Sequence, residues 1–392
     1  MPEPATTTPP VPEPGRTVEE LPLTELHRRL GAELGSWPEL PGPVPLHYGS
    51  LAAEYQALRG GCGVVDRSSA GRLELAGADR LRFANAYLTC DIKSLAPGQG
   101  AYGFVTSAQG RILADVVVLA GDDRLWLELP PGRGPAIAEH LRRFLIADRV
   151  EIRPLTARLP LSLIGPAAAS RLAALLGGSS AAGASPASLA SLGSLPQTPW
   201  SHVRVSFEGG ELTVQRSGLQ GEPAWTIWVP AELAEPLVTA LLAGGGTQAV
   251  GHQALEVWRT ERGIPRYGRD FGAGNFPQET GIEEAVSYTK GCYLGQEVVA
   301  RIHYRGGVQK VLRGLLFAAG TAPVPGTPLL FDGREAGIAT TVVESLALRQ
   351  PVGLSILHRR ASEPGSLLQL GGASQGATAE VHELPLVKNG ER

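Results

Sequence analysis

Cysteine is scarce in this chain of 392 residues: three, at positions 62, 90 and 292, with no Cys-x-x-Cys pair. That excludes a disulfide framework and a zinc ribbon, and it points to a reducing, cytoplasmic setting. Lysine is nearly as scarce, 4 residues against 31 arginines. The basic residues are scattered, so the footprint of a direct nucleic-acid binder is missing. No apolar run reaches the length of a membrane span. The N-terminus lacks the basic and apolar regions of a signal peptide. No His-Glu-x-x-His, phosphate-loop or nucleophile-elbow pattern occurs, and the 8 histidines form no spaced ligand set. Net charge is −3. What remains is a chain long enough for two or three domains with ample core.

Residues 1–45 read as a disordered or helical N-terminal extension. Pro, Thr and Glu dominate up to Gly15, and helical spacing runs from Thr17 to Leu34. A first α/β lobe is expected over 46–155, with helices Tyr48–Leu58, Asp79–Leu88 and Pro135–Leu145. Its strands are Arg72–Leu75, a hairpin Tyr102–Thr106 and Arg111–Leu119, and Leu125–Leu129. A second lobe is expected over 156–305. Its strands are Pro160–Ile164, Val203–Phe207, Glu211–Arg216 and Trp225–Val229, and its helices Ala167–Leu176 and Ala231–Leu242. A Gly/Ala/Ser-rich insertion occupies 177–196. Over 306–392 the chain turns to short β runs (Leu312–Phe317, Ile338–Val343, Val352–Leu357, Ala377–His382), the pattern of a small β-barrel or sandwich. Cys62 and Cys90 fall in core-like surroundings, and His252 and His303 read as surface residues.

The densest chemistry is Lys290-Gly291-Cys292-Tyr293-Leu294-Gly295-Gln296-Glu297. Gly291 and Gly295 permit backbone conformations closed to other residues, which predicts a tight turn into a short helix, Gln296 to Ile302. Glu297 and Arg301 then lie four apart in the favourable order. A thiol near a helix N-terminus and a lysine can become a usable thiolate, making Cys292 and Lys290 the candidate catalytic pair. The alternative is a small buried cysteine without chemistry.

This octet and Arg301 resemble the signature of YgfZ-type folate-binding proteins, relatives of the glycine-cleavage T-protein (aminomethyltransferase). Arg259–Gly268, Pro277-Gln278-Glu279, Gly63–Asp66, Leu88–Ile92 and Pro97-Gly98-Gln99 extend the resemblance over roughly residues 46 to 357. It implies an α+β fold: two α/β lobes forming a folate-binding, aminomethyltransferase-like domain around a central hole, plus a small C-terminal β-barrel. Arg216-Ser217-Gly218-Leu219-Gln220-Gly221-Glu222 is similar to the family loop whose glutamate holds the pterin ring. One carboxylate can accept the paired N–H donors of such a ring. Glu222, Arg216, Gly291, Gln296 and Glu297 are therefore the expected tetrahydrofolate-binding residues. Pro223 departs from the aspartate usual there in T-proteins.

In the T-protein the hairpin after Gly-Gly carries two consecutive aspartates, the first near the folate nitrogen that accepts the one-carbon unit. Here that first position is Ala114; Asp115 remains, and strand alternation turns it to the opposite face. This reading argues against T-protein turnover. The expected function is then tetrahydrofolate binding in the assembly or repair of iron–sulfur clusters of client enzymes, with an indirect link to tRNA modification. Two alternatives stand beside it: a folate-dependent one-carbon transferase, and a non-catalytic folate-binding regulatory module.

Overall fold

The computed structural model describes residues 20–178, 195–218, 223–321, 323–374 and 376–388. Short antiparallel strands β1 (Glu33–Gly35) and β2 (Val44–His47) form an N-terminal ribbon. The helix expected from Thr17 shrinks to α1 (Thr24–Arg29), because Gly31 in the left-handed region ends it and the chain enters β1.

The first large sheet has five antiparallel strands in the order β5-β6-β7-β4-β8. They are β4 (Gly71–Ala76), β5 (Gly100–Thr106), β6 (Ile112–Ala120), β7 (Arg124–Leu129) and β8 (Glu151–Pro154). Its strands alternate apolar and polar, and the apolar parity is covered by α3 (Arg80–Tyr87) and α4 (Gly134–Arg142). On β6, Ala114, Val116 and Val118 pack with Phe83, Ile137 and Leu141. Asp115 and Val117 therefore face away from the helices.

A second sheet runs β10-β11-β12-β9-β3-β13. Its strands are β3 (Gly63–Asp66), β9 (Arg158–Ile164), β10 (His202–Phe207), β11 (Gly210–Arg216), β12 (Ala224–Pro230) and β13 (Gln248–Ala249). One face is sealed by α5 (Ala168–Gly178) and α6 (Ala231–Ala243), through Leu172, Leu176, Leu237 and Leu241. Strand β3 pairs antiparallel with β9 (Val64 opposite Leu163), so a segment early in the chain completes the sheet of the later lobe. Cys62 and Cys90 are buried, one in each helix-covered core.

The C-terminal strands are β14 (Lys310–Phe317), β15 (Pro328–Phe331), β16 (Arg334–Ile338), β17 (Thr341–Ser345), β18 (Gln350–His358), β19 (Leu367–Leu370) and β20 (Thr378–His382). They form one curled sheet, β16-β15-β19-β20-β14-β18-β17. Its outer strands β16 and β17 do not pair with each other, so the expected barrel is open. The expected strand Ile338–Val343 is also split, because the Ala339 N–H turns to the Thr327 carbonyl and interrupts the ladder.

Two helices join the bodies: α2 (Leu51–Gly60), capped by the Ser50 hydroxyl, and α7 (His252–Glu261), which the sequence patterns did not suggest. They pack through Tyr55, Leu58, Val257 and Trp258. Helix α7 also buries charge. The Arg259 guanidinium donates to both Glu256 oxygens (2.8 and 2.6 Å), to Asp270 (2.7 Å), to the Ile264 carbonyl (3.0 Å) and to the Thr341 hydroxyl (2.9 Å). Burial opposes the Glu256 charge, yet Arg259 beside it prevails and holds that carboxyl down at about 2. Asp270 in turn accepts from Thr340 and Thr341 of the C-terminal sheet and its approach. No helix among the described residues is long and apolar enough to cross a membrane.

Removing this cation takes the shared partner from two buried carboxylates, leaving Glu256 with Arg266 at 3.3 Å and Asp270 with hydroxyl and backbone donors alone. Arg259→Leu is expected to lower stability by about 3–5 kcal/mol in chemical denaturation. A loss below about 1 kcal/mol, the scale of a surface pair, would contradict the role given to this network.

Candidate active site

The two large sheets, α7 and the residues after it enclose a cavity of about 250 Å³. Asp66 at the end of β3, Asp115 on β6, Glu128 on β7 and Thr226 on β12 line it, with His252, Trp258, Arg266 and Tyr267 closing another side. The alternation that sends Ala114 into the helix-covered core sends Asp115 into this cavity. Ala114 is a core residue, fully buried, and the second residue of the pair supplies the cavity carboxyl.

Asp115 lies deep in the molecule but open to the cavity. Tyr102 on β5 donates its hydroxyl to Oδ2 at 2.9 Å, while Oδ1 is buried with no hydrogen-bond partner among the described residues. Burial pushes this carboxyl up to about 6, against the lowering effect of the Tyr102 hydrogen bond and of Arg67. Asp66 shows the opposite balance. Burial opposes its charge, but His27 (2.9 Å) and the Ser68 N–H and hydroxyl (2.7 and 3.0 Å) hold it below the usual carboxylate range. Tyr48 is within 2.7 Å of the other nitrogen of His27 and ties it to the ribbon. Two carboxyls of opposite bias in one cavity make a division between a titrating acid/base and a permanent anion.

His252, expected at the surface, lines the cavity instead. Burial, helped by Arg266, drives its pKa down to about 4, so it is neutral near pH 7; its ring packs on Trp37 at 5.7 Å. His303 is exposed and stacks on Tyr288 with ring centroids 3.8 Å apart.

The Lys290–Glu297 segment lies elsewhere, and none of its residues lines the cavity. The Lys290 ammonium donates to the carbonyls of Asn85 (2.6 Å), Leu88 (2.5 Å) and Cys90 (2.7 Å) at the end of α3. Those three acceptors use all three of its donors, leaving none for Cys292. Burial lowers the lysine to about 8. Cys292 is exposed, and α8 (Gln296–Arg301) begins four residues later as expected. Glu297 and Arg301 form no ion pair among the described residues. Of the two glycines only Gly295 needs its freedom. Its φ is +85°, and an added Cβ would meet the Ser107 carbonyl at 2.5 Å, whereas at Gly291 nothing lies within 4 Å.

Arg216 at the end of β11 donates to the Ala224 carbonyl (2.8 Å) and stacks 4.7 Å over Trp225, bracing the two ends of the loop between β11 and β12. Ser217 and Ala224 at those ends line the cavity. Glu222, and residues 179–194 of the expected insertion, lie outside the described residues.

Comparison with known proteins agrees with this geometry. The model of the GCVT N-terminal domain family matches residues 23–290. The chain belongs to that family. An aminomethyltransferase of Symbiobacterium thermophilum is 27% identical over 388 residues, covering 96% of this chain and 99% of that protein. One from Frankia alni is 29% identical over 349 residues, covering 87% and 90%. The crystal structure of the glycine cleavage system aminomethyltransferase T of Bartonella henselae shares the fold, with a TM-score of 0.83 at 22% identity, over 95% of this chain and 99% of that one. These relatives overturn the expected role in iron–sulfur cluster assembly and tRNA modification. Their names carry aminomethyl transfer over nearly the whole chain and no iron–sulfur function.

Two outcomes are expected. The folded protein keeps the Asp115 proton up to about pH 6, whereas an unfolded chain releases it near pH 4, so this group costs stability as pH climbs through that window. Relative to wild type, Asp115→Asn should gain about 2 kcal/mol between pH 4 and pH 7 in urea titrations. A difference that stays constant over that range would mean an ordinary, solvated carboxyl. Separately, Gly295→Ala should cost about 2 kcal/mol or more and Gly291→Ala close to nothing in the same titrations; equal costs would contradict the turn geometry.

Proposed function

We propose that this protein is a folate-dependent one-carbon transferase of the aminomethyltransferase type, working in the cavity between the two large sheets. The observation that carries the reading is Asp115: a carboxyl lining the cavity, pushed up to about 6 by burial, oriented by Tyr102, with Oδ1 unpaired among the described residues. Tetrahydrofolate, when bound, supplies the nitrogen that carries the one-carbon unit. An unpaired buried acceptor beside that nitrogen suits it, because a carboxyl there can take up or return a proton as the nitrogen's substitution changes. With a pKa near 6, Asp115 is mostly ionised at pH 7 yet holds a proton at modest cost, the range in which one group serves as both base and acid.

The other residues divide the remaining work. Asp66, kept ionised by His27 and Ser68, holds a fixed negative charge in the same cavity. Neutral His252 offers polarity without competing for the anion. Arg216 braces the loop that runs on to Glu222, and in this reading Glu222 accepts the paired N–H donors of the pterin ring. Lys290, Gly291, Gln296 and Glu297 lie outside the cavity, where Lys290 locks the Cys292 segment to the end of α3.

Asp115→Asn keeps the shape and the Tyr102 contact but removes the proton acceptor. It should lower turnover by about 10²–10⁴-fold while tetrahydrofolate affinity, read by isothermal titration, changes little. The assay is methylene-tetrahydrofolate formation from an aminomethylated lipoyl carrier. Wild-type protein at the no-enzyme background, or a fully active Asp115→Asn, would overturn the proposal.

A further inference from the structure

We infer that Trp200 is a positioning residue for this site: held in a left-handed backbone conformation, it clamps the Tyr102 ring and through it the orientation of Asp115. This rests on Asp115 being the working acid.

Trp200 has φ +64°, in the region that β-carbon-bearing residues avoid, and it is nine-tenths buried. Such conformations persist where the surroundings over-determine them, and here the determinants are visible. The Trp200 N–H donates to the Arg216 carbonyl, and the Arg216 N–H donates to the Ser201 carbonyl, both at 2.9 Å, so the turn is sewn to the end of β11. The indole stacks on Tyr102, with centroids 5.4 Å apart and planes 19° from parallel. Two glycines make room for it. A Cβ on Gly218 would lie 2.4 Å from the Trp200 ring, and one on Gly100 would lie 2.5 Å from its carbonyl. Trp200 is thus wedged between β5, which carries Tyr102, and the strand that leads into the loop of Arg216 and Gly218.

The consequence is a ladder from the second sheet into the cavity. Trp200 holds one face of Tyr102, and Tyr102, whose proton burial keeps in place, donates it to Asp115 Oδ2 at 2.9 Å. Without the indole the phenol is free to swing, and Asp115 loses its side-chain hydrogen bond, the largest of the effects that favour its ionised form. The other groups acting electrostatically on Asp115 are Arg67 and Glu128 on the cavity wall and Tyr267 after α7, with Glu284 acting on Tyr102. None of them is contributed by the segment that carries Trp200.

The test is the titration of the Asp115 side-chain carboxyl by ¹³C NMR in the full-length protein, assigned by its disappearance in Asp115→Asn. Trp200→Gly removes the ring but suits the left-handed backbone, so the turn survives. Its Asp115 titration should move upward by about half a unit to one unit, matching Tyr102→Phe, with no further shift in the double variant. Trp200→Phe, which keeps a ring on Tyr102, should titrate like wild type, and Trp200→Leu should not; this pair decides the matter if Trp200→Gly fails to fold. In turnover, kcat of the ring-less variants should fall about 10- to 100-fold with KM for tetrahydrofolate little changed. A Tyr102→Phe shift without a Trp200→Gly or Trp200→Leu shift, or no shift in any of them, would overturn the inference. The NMR titration needs no turnover, so an inactive wild type would count against the transferase reading alone.

Discussion

A buried arginine ties α7 and the segment after it to the C-terminal sheet. Arg259 is encased by Glu256, Asp270, Thr341 and the Ile264 carbonyl, contributed by α7, by the segment after it and by the C-terminal sheet. A single guanidinium presents five donors in a rigid fork, and here the fork is filled from three directions. Each carboxylate is costly to deprive of this partner, since Asp270 then keeps only hydroxyl and backbone donors and Glu256 only the longer contact to Arg266. Helix α7 borders the cavity with His252, Trp258 and Arg259 itself, so the network that fixes the helix also fixes one wall of the site.

Within that frame the chemistry is decided by parity. Strand β6 must give one alternate set of side chains to α3 and α4, and Ala114, Val116 and Val118 are that set. Asp115 is thereby committed to the cavity, and the burial that placed it there also raises its pKa. Asp66, equally deep, is pulled the other way by His27 and Ser68. The same low-dielectric interior thus yields a titrating carboxyl and a permanent anion, separated only by their hydrogen-bond partners.

Much of the fold was legible in the sequence because its periodicities are strong. The hairpin around Ser107–Gly110, the helices that begin near residues 80, 134, 168 and 231, and the β-rich C-terminal segment all follow from alternation and turn residues. Helix α7 is hard to read from sequence because Glu256, Arg259 and Glu261 interrupt its apolar face, and the Tyr55, Ser345 and Thr341 hydroxyls that help justify burying Glu261 and Arg259 are distant in sequence. The site was less legible. Cys292 drew attention by its neighbours, yet the Lys290 charge goes to the carbonyls of α3, a pairing some 200 residues apart in sequence. Asp115 was placed on the face opposite Ala114, as found, but the Ala114 face was taken for the ligand face, although the apolar set Ala114, Val116, Val118 already marked it as core-facing. Tyr102 and Trp200 carried no local signal, since their roles arise from contacts across two sheets.

The central claim is that the cavity carboxyl of Asp115 meets the one-carbon-bearing nitrogen of a reduced folate. A crystal structure of the protein with bound tetrahydrofolate tests it most directly. The account predicts the ring system in the cavity between the two large sheets, with a ring or bridge nitrogen about 3 Å from Asp115 Oδ1, the reach of a proton transfer. A folate bound outside that cavity, or bound within it with Asp115 turned toward no ligand atom, would contradict it.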